Sequence, residues 1–397
     1  MNILVVCQYY YPEQFKINDI CEDLVKQGHQ VTVLTGLPNY PDGIIPEEYQ
    51  KWKKRKEKIN GVNIIRTYEM PRGKGKLKLM ANYLSYMISA SLKSLTLSKE
   101  FDVVYVFQLS PVTMAIPAIT YKTKNRKKLF LYCLDLWPES LKAMNIQESS
   151  LIFKVIHGLS KWIYKKSDHI GVTSKSFEKY LMHVNGMPKE KISYIPQHAE
   201  DLYVSVNGKF VENECVDFLF AGNIGQVQDI DCILKATNEI KHRDGFKIHL
   251  VGDGSYIENV KSLIQEFNIE DKVVLHGRHP VEEMPRFYEL ADAYLLTLKG
   301  DSNIGMTVPG KLQGYMAAGK PIFAAINGAT EGVIQEANCG VCVPAGDYKE
   351  LASAMEQYMD NQEMYRAYGK NAYNYFNQNF TLEAYQKQLL SQLKQLA

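Results

Sequence analysis

Thr307-Val308-Pro309-Gly310-Lys311-Leu312-Gln313-Gly314-Tyr315-Met316-Ala317-Ala318-Gly319-Lys320-Pro321 is the stretch that decides how this chain of 397 residues is read. Pro309 and Gly310 mark the start of a helix, Gly319 its C-terminal stop, and 321–325 a buried strand. Lys311 then stands at a helix N-terminus among unpaired backbone N–H groups. Such an end attracts phosphate through its dipole and its donors together. An ordinary helix between strands, with Lys311 in water, is written the same way, so the surrounding chain has to decide.

Working outward, a strand at 217–221 runs into the turn Gly222-Asn223-Ile224-Gly225 and a helix at 229–241. Strands at 247–251, 273–276 and 293–298 follow, each separated by a helical segment. The first half opens with a strand at 3–7, a loop at 8–14, an amphipathic helix to 26 and a strand at 31–35. Further strands fall at 63–66, 103–107, 128–134, 170–173 and 192–195. Both halves therefore read as doubly wound α/β units. Residues 196–212 turn polar, as a hinge would, and 381–397 form an amphipathic helix that adds no strand. The expected architecture is α/β, with Rossmann-like domains at 1–200 and 201–380 facing across a cleft and a helix at 381–397 returning to the first. Ligands of such sheets collect at the strand carboxyl ends.

The length exceeds one ordinary core, which supports two domains. The seven cysteines show no disulfide-like pattern, and the chain opens directly into a strand, so a reducing cytoplasm is expected. Cys339 and Cys342 formally match a redox pair. They lie in an apolar strand-like run where residues three apart face opposite sides, and read as structural.

A net charge of +2 conceals an asymmetry: residues 1–200 hold 29 Lys+Arg against 18 Asp+Glu, and residues 51–100 alone hold 13 against 3. That imbalance points to an anionic partner, nucleic acid or a membrane surface. Residues 51–78 carry no nucleic-acid motif, which favours the membrane. Residues 79–92 are uncharged and too short to cross a bilayer, which takes about 20. Flanked by Arg72, Lys74, Lys76 and Lys78, they suit a helix lying on a membrane, although ordinary helix packing has the same spacing.

Several blocks together resemble the GT-B glycosyltransferases of family 4. They are 220–225 (Phe-Ala-Gly-Asn-Ile-Gly), 250–254 (Leu-Val-Gly-Asp-Gly), 274–278 (Val-Leu-His-Gly-Arg) and the run from Val308 to Pro321. The first half resembles the WbuB-type branch, which includes amino-sugar transferases of surface polysaccharides. Its blocks are 8–13 (Gln-Tyr-Tyr-Tyr-Pro-Glu), 33–43 (Val-Leu-Thr-Gly-Leu-Pro-Asn-Tyr-Pro-Asp-Gly) and 134–140 (Leu-Asp-Leu-Trp-Pro-Glu-Ser).

The resemblance implies transfer of a sugar from a UDP-sugar with retention at the anomeric carbon, without cofactor or metal, by a protein peripheral on the cytoplasmic face of the membrane. The acceptor it implies is a lipid-linked (polyprenyl-diphosphate) saccharide, and the WbuB likeness suggests N-acetyl-L-fucosamine as donor sugar. Donor contacts then fall on Gly222, Asn223, Gly225, Gln228, Gly252, Arg278, His279, Thr307, Gly310, Lys311 and Gln313. Where relatives place Arg and Lys to clasp the diphosphate, this chain has Asn223 and Gln228. Where they place two glutamates, it has about Met306 and Gly314. The ionic work shifts to Lys311, suited to stabilise a departing UDP. Asp229 and Asp231 imitate a metal pair but read as helix capping. Asp135 and Glu139, past a buried strand, are catalytic candidates beside Lys311. Glu13, Gln14, Lys16, Asn39 and Tyr40 are acceptor candidates. Two alternatives stay open: a nucleotide-sugar 2-epimerase, and a non-catalytic, membrane-attached UDP-sugar-binding subunit.

Overall fold

The computed structural model describes residues 1–73, 75–144, 146–209, 215–300 and 306–397. Lys74 of the basic flank and 210–212 of the expected hinge lie outside them. Contacts divide the chain into Met1–Ile195 with Gln386–Ala397, and Pro196–Tyr385. The expected boundaries lay at 200 and 380. The segments around them belong to the second unit, where Ala199 N–H donates to the Phe380 carbonyl at 2.8 Å and His198 packs on Tyr385.

The first unit is built on β1 (Asn2–Val6), β2 (Gln30–Thr35), β3 (Lys56–Ile59), β4 (Val62–Arg66), β5 (Val103–Gln108), β6 (Lys128–Cys133), β7 (His169–Val172) and β8 (Ile192–Tyr194). Among the described residues their order is β3-β4-β2-β1-β5-β6-β7-β8. All neighbours are parallel except β3, which runs antiparallel to β4. Every residue of β5 is buried, as expected for a strand covered on both faces. The strand at 56–59 was not foreseen. Its Lys-Glu-Lys-Ile alternation lacks a core signature because it is an edge strand, where charge discourages pairing with another sheet.

Helices α1 (Lys16–Lys26), α2 (Lys76–Ser94), α3 (Ile116–Asn125), α4 (Leu151–Lys166) and α5 (Lys175–His183) connect these strands. Ser150 and Ser174 start α4 and α5 by accepting the N–H of Phe153 and Phe177, which satisfies a donor the helix cannot use internally. The chain reverses its direction of strand addition between β1 and β5. That switch point opens a crevice beyond the strand ends.

The second unit contains β9 (Val216–Ala221), β10 (Phe246–Val251), β11 (Val273–Gly277), β12 (Ala293–Thr297), β13 (Ile322–Ala325) and β14 (Gly340–Val343). They pair in parallel, in the order β11-β10-β9-β12-β13-β14. Helices α6 (Ile230–Ile240), α7 (Ile257–Phe267), α8 (Met284–Leu290), α9 (Gly310–Ala318), α10 (Ala329–Ala337), α11 (Tyr348–Asp360) and α12 (Arg366–Asn379) cover the faces. Here the switch point falls between β9 and β12, beside Gly222. Cys339 and Cys342 are free thiols that burial pushes up to about 12, consistent with a packing role. The last helix, α13 (Leu382–Leu396), buries Tyr385, Leu389 and Leu393. Within the first unit, Gln386 Nε2 donates to the Ile20 carbonyl at 2.8 Å.

Candidate functional site

In the second unit, α9 starts after an extended Pro309 with no side-chain cap and stops at a left-handed Gly319. Its register is fixed by Tyr315, whose hydroxyl accepts the Ala221 N–H at 2.9 Å. One turn earlier, the Lys311 side chain therefore runs over the end of β9. Gly222 adopts φ +140°, a conformation that favours glycine, and a Cβ there would lie 2.9 Å from Lys311 Cε and displace that side chain. The ammonium sits 3.8 Å from the centroid of the Phe220 ring and donates to Gln228 Oε1.

No carboxylate of the described residues pairs with Lys311. Burial pushes its ammonium down to about 7. A half-buried cation held only by an amide and a ring face is short of negative charge, and an anionic ligand would supply it. In the empty protein the charge is a burden. Lys311→Met is expected to raise the melting temperature at pH 6, by about 2–4 °C for each kcal/mol relieved, read by thermal unfolding.

The glycines around Lys311 bring backbone onto backbone. Gly252 adopts φ +143°, and a Cβ there would stand 1.8 Å from the Gly222 carbonyl oxygen. Gly222 N–H donates to Val251 O, Gly252 N–H to Gly277 O and Ile224 N–H to Asp253 O, all at 2.8–2.9 Å. These bonds tie the ends of β9, β10 and β11 into one scaffold. Gly252→Ala meets both a strained φ and a backbone clash. It should cost about 2–4 kcal/mol of stability, measured by urea unfolding.

The remaining donor-side candidates divide. Asn223 and Arg278 are exposed, and Gln228 faces Lys311. The His279 ring is held within its own turn: Nε2 donates to the His276 carbonyl at 3.1 Å, and the ring packs on Phe287. Thr307 offers its carbonyl to Thr330 Oγ1. Gln313 is buried and spends Nε2 on the Gln197 carbonyl at 2.7 Å, which gives it a fastening role rather than a free amide for a ribose. At Gly314, any side chain would meet the Tyr203 ring at 3.2 Å and the Tyr288 hydroxyl at 3.3 Å. Two stacked tyrosines thus crowd the place that the resemblance aligns with a family glutamate. Asp229 precedes α6 but makes no capping bond, contrary to expectation, because its own backbone is left-handed there. Asp231 instead accepts from the Tyr256 hydroxyl.

In the first unit, the loops after β1, β2 and β4 converge. Glu13 Oε1 accepts the N–H groups of Asn39 (2.7 Å) and Tyr40 (2.6 Å), so this carboxylate braces the second loop. Asn39 is buried and accepts the Arg72 N–H at 2.8 Å. Gln14 is exposed and Lys16 opens α1. Tyr40 joins Tyr9 and Phe15 in a cluster with centroids 5.3–5.4 Å apart. Asp135 lies half-buried just past β6. Glu139 is buried, accepts from the Tyr180 hydroxyl at 2.7 Å and pairs with Lys142, so its carboxylate is already engaged within the unit.

Two further residues stand out in this unit: Arg72, which the sequence places only in a basic flank, and Glu69, which it does not mark. Arg72 lies 5.3 Å over the Tyr40 ring and donates to the Tyr9 hydroxyl, and no carboxylate of the described residues pairs with it. Glu69 is fully buried. Its Oε1 accepts from Gln8 Nε2 (2.8 Å) and Asn82 Nδ2 (2.7 Å), while Oε2 stands unpartnered against Gly36. Burial pushes this carboxyl up to about 8. Above the usual carboxylate pKa the unfolded chain releases this proton while the folded one keeps it. Stability therefore declines as pH rises from about 4.5 to 8. Glu69→Gln should flatten that part of the profile, checked by urea unfolding between pH 5 and pH 8.

Comparison with known proteins assigns a class to these two α/β units. Residues 17–198 match the family described as Glycosyltransferase Family 4, and residues 209–375 match Glycosyl transferases group 1. On those two domains the chain belongs to the glycosyltransferases. It is 26% identical over 314 residues to the probable glycosyltransferase WbjE of Pseudomonas aeruginosa, covering 73% of this chain and 74% of that one. It is 20% identical to the putative colanic acid biosynthesis glycosyl transferase WcaI of Escherichia coli K12, covering 90% and 92%. The crystal structure of Anabaena HepE in complex with UDP superposes with a TM-score of 0.71 over all of both chains at 15% identity, which shows a shared GT-B fold.

Proposed function

We propose that this protein transfers a sugar from a UDP-sugar to a polyprenyl-diphosphate-linked saccharide, with retention, during synthesis of a bacterial surface polysaccharide of capsule or O-antigen type. One observation carries the reading: Lys311, short of an anionic partner, lies at a helix N-terminus beside glycine turns that expose backbone at a switch point. A leaving diphosphate supplies the missing charge, and Lys311 with the first turn of α9 stabilises it as the glycosidic bond breaks. Those groups do this without a metal ion. The turn at Arg278 and His279 holds the base. HepE was solved with UDP and WcaI is named for colanic acid synthesis, which supports both the donor class and the setting.

On the acceptor side, the Tyr9–Phe15–Tyr40 cluster offers rings for a saccharide, Arg72 offers a cation for its diphosphate, and Asp135 orients the incoming hydroxyl. The protein acts from the cytoplasmic face of the membrane. Supporting that reading, α4 exposes Leu151, Ile152 and Trp162 between lysines, and α2 exposes apolar residues along its length. Among the described residues, no helix is long and apolar enough to cross a bilayer. The WbuB-like blocks make UDP-N-acetyl-L-fucosamine the first donor to try.

Purified protein is incubated with a panel of UDP-sugars and a lipid-linked acceptor, and UDP release is followed with and without a chelator. Release that needs the acceptor and survives chelation is expected. Conversion of donor without acceptor would point to an epimerase. Tight UDP binding with no turnover would indicate a binding subunit.

A further inference from the structure

We propose that a pocket under the C-terminal end of α2 holds the phosphodiester headgroup of an anionic lipid while the outer face of α2 lies in the bilayer interface. This rests on the membrane-bound reading above. The cavity measures about 550 Å³ and is walled by Lys56, Lys58, Asn63, Thr32, Lys93 and Thr96. Thr32 pairs with Asn63, and Asn63 with Lys58, in one row across β2, β4 and β3, so their side chains share a face. The three lysines make no ion pair with any described residue. Glu57 is taken by Arg66, leaving Glu100 as the one unpaired carboxylate on the wall. The C-terminal dipole of α2 opposes an anion here. Three ammonium groups outweigh its half charge, and Thr96 covers the Lys93 carbonyl with N–H and hydroxyl.

Depth supports the assignment. Leu77, Met80, Leu84, Ile88, Leu92 and Leu95 stand exposed along the outer side of α2. An interfacial helix sinks its apolar face by about 5–10 Å, and a helix is about 10–12 Å across. The inner side of the C-terminal end of α2, where Lys93 and the following Thr96 line the pocket, then sits at the level of the lipid phosphates. Three ammonium groups with threonine and asparagine beside them suit a phosphodiester bearing hydroxyls, such as phosphatidylglycerol.

The test is flotation of the full chain with vesicles of phosphatidylcholine alone or mixed with phosphatidylglycerol, alongside solution titration with dihexanoyl phosphatidylglycerol and with inorganic phosphate. The parent should favour the mixed vesicles and bind the short-chain lipid more tightly than phosphate. At roughly fivefold per lysine near a membrane, Lys56→Ala/Lys58→Ala/Lys93→Ala should weaken binding to mixed vesicles about 100-fold. Asn63→Trp, which fills the pocket without changing charge, should abolish short-chain lipid binding. Leu84→Ser/Ile88→Ser should lose vesicles yet keep the short-chain lipid. Circular dichroism checks that each variant is folded.

If the parent floats on mixed vesicles and both pocket variants behave like it, the pocket is overturned and the membrane reading stands. Short-chain lipid binding without flotation would uphold the pocket and overturn the membrane reading. No binding of either kind overturns both. Inorganic phosphate binding as tightly as the lipid makes this a free-phosphate site and overturns the proposal.

Discussion

Lys311→Ala lowers turnover at least ~100-fold while leaving the protein folded. Removing one donor aimed at charge developing in a transition state typically costs that much, and this chain concentrates the work. The resemblance puts Asn223 and Gln228 where family members carry a cationic pair, and among the described residues the Lys311 ammonium is hydrogen-bonded to the Gln228 amide rather than to a charged partner. Lys311→Arg should rescue poorly. The Lys311 side chain threads between Gly222 and the Phe220 ring, a slot that suits a slim alkyl chain better than a planar guanidinium. Initial rates with a saturating UDP-sugar decide it. Turnover near the parent's for Lys311→Ala would remove Lys311 from the mechanism.

UDP binding weakens as pH rises above about 7, by up to about tenfold per pH unit. The sign follows from the direction of the shift. Burial lowers the Lys311 ammonium to about 7, so the free protein sheds this proton above neutrality. A bound diphosphate favours the cation and raises its pKa, so the complex keeps the proton. Binding above pH 7 must then take up a proton, and affinity falls until the pKa of the complex is passed. Calorimetry in two buffers of different ionisation heat reads the uptake directly. Because the terminal phosphate of UDP titrates near pH 6, the informative range is pH 7 to 9. Lys311→Met should bind more weakly and with no such slope. A parent affinity constant across that range would contradict the account.

The parts of the fold visible in the sequence are those punctuated locally. Pro309 and Gly319 bound α9 because one fixes φ and the other accepts a left-handed turn. The apolar runs of β1, β5 and β9 announce themselves by composition. β3 did not, since a charged edge strand has no buried face to write into its pattern. The place of Lys311 at the start of α9 was legible from Pro309 and Gly310, while its contacts with Gly222, Phe220 and Gln228 appear only in the folded unit. Glu69 was not legible. Its partners Gln8 and Asn82 and its neighbour Gly36 come from three separate segments that only the folded sheet unites. Glu139 shows the converse: it stands at a strand-end loop as expected, yet Tyr180, from a helix well along the chain, claims its carboxylate. Arg72 was lost in a run of basic residues, and only its place over Tyr40 and against Tyr9 sets it apart.

The tyrosine pair beside Gly314 reaches beyond packing to the paths by which this site can change. A glutamate introduced at 314 brings its Cβ to 3.2–3.3 Å from Tyr203 and Tyr288, so the two rings must give by a few tenths of an ångström to admit it. Laboratory evolution of an acidic residue at this place should therefore go further when Tyr203 is varied together with Gly314 than when Gly314 is varied alone.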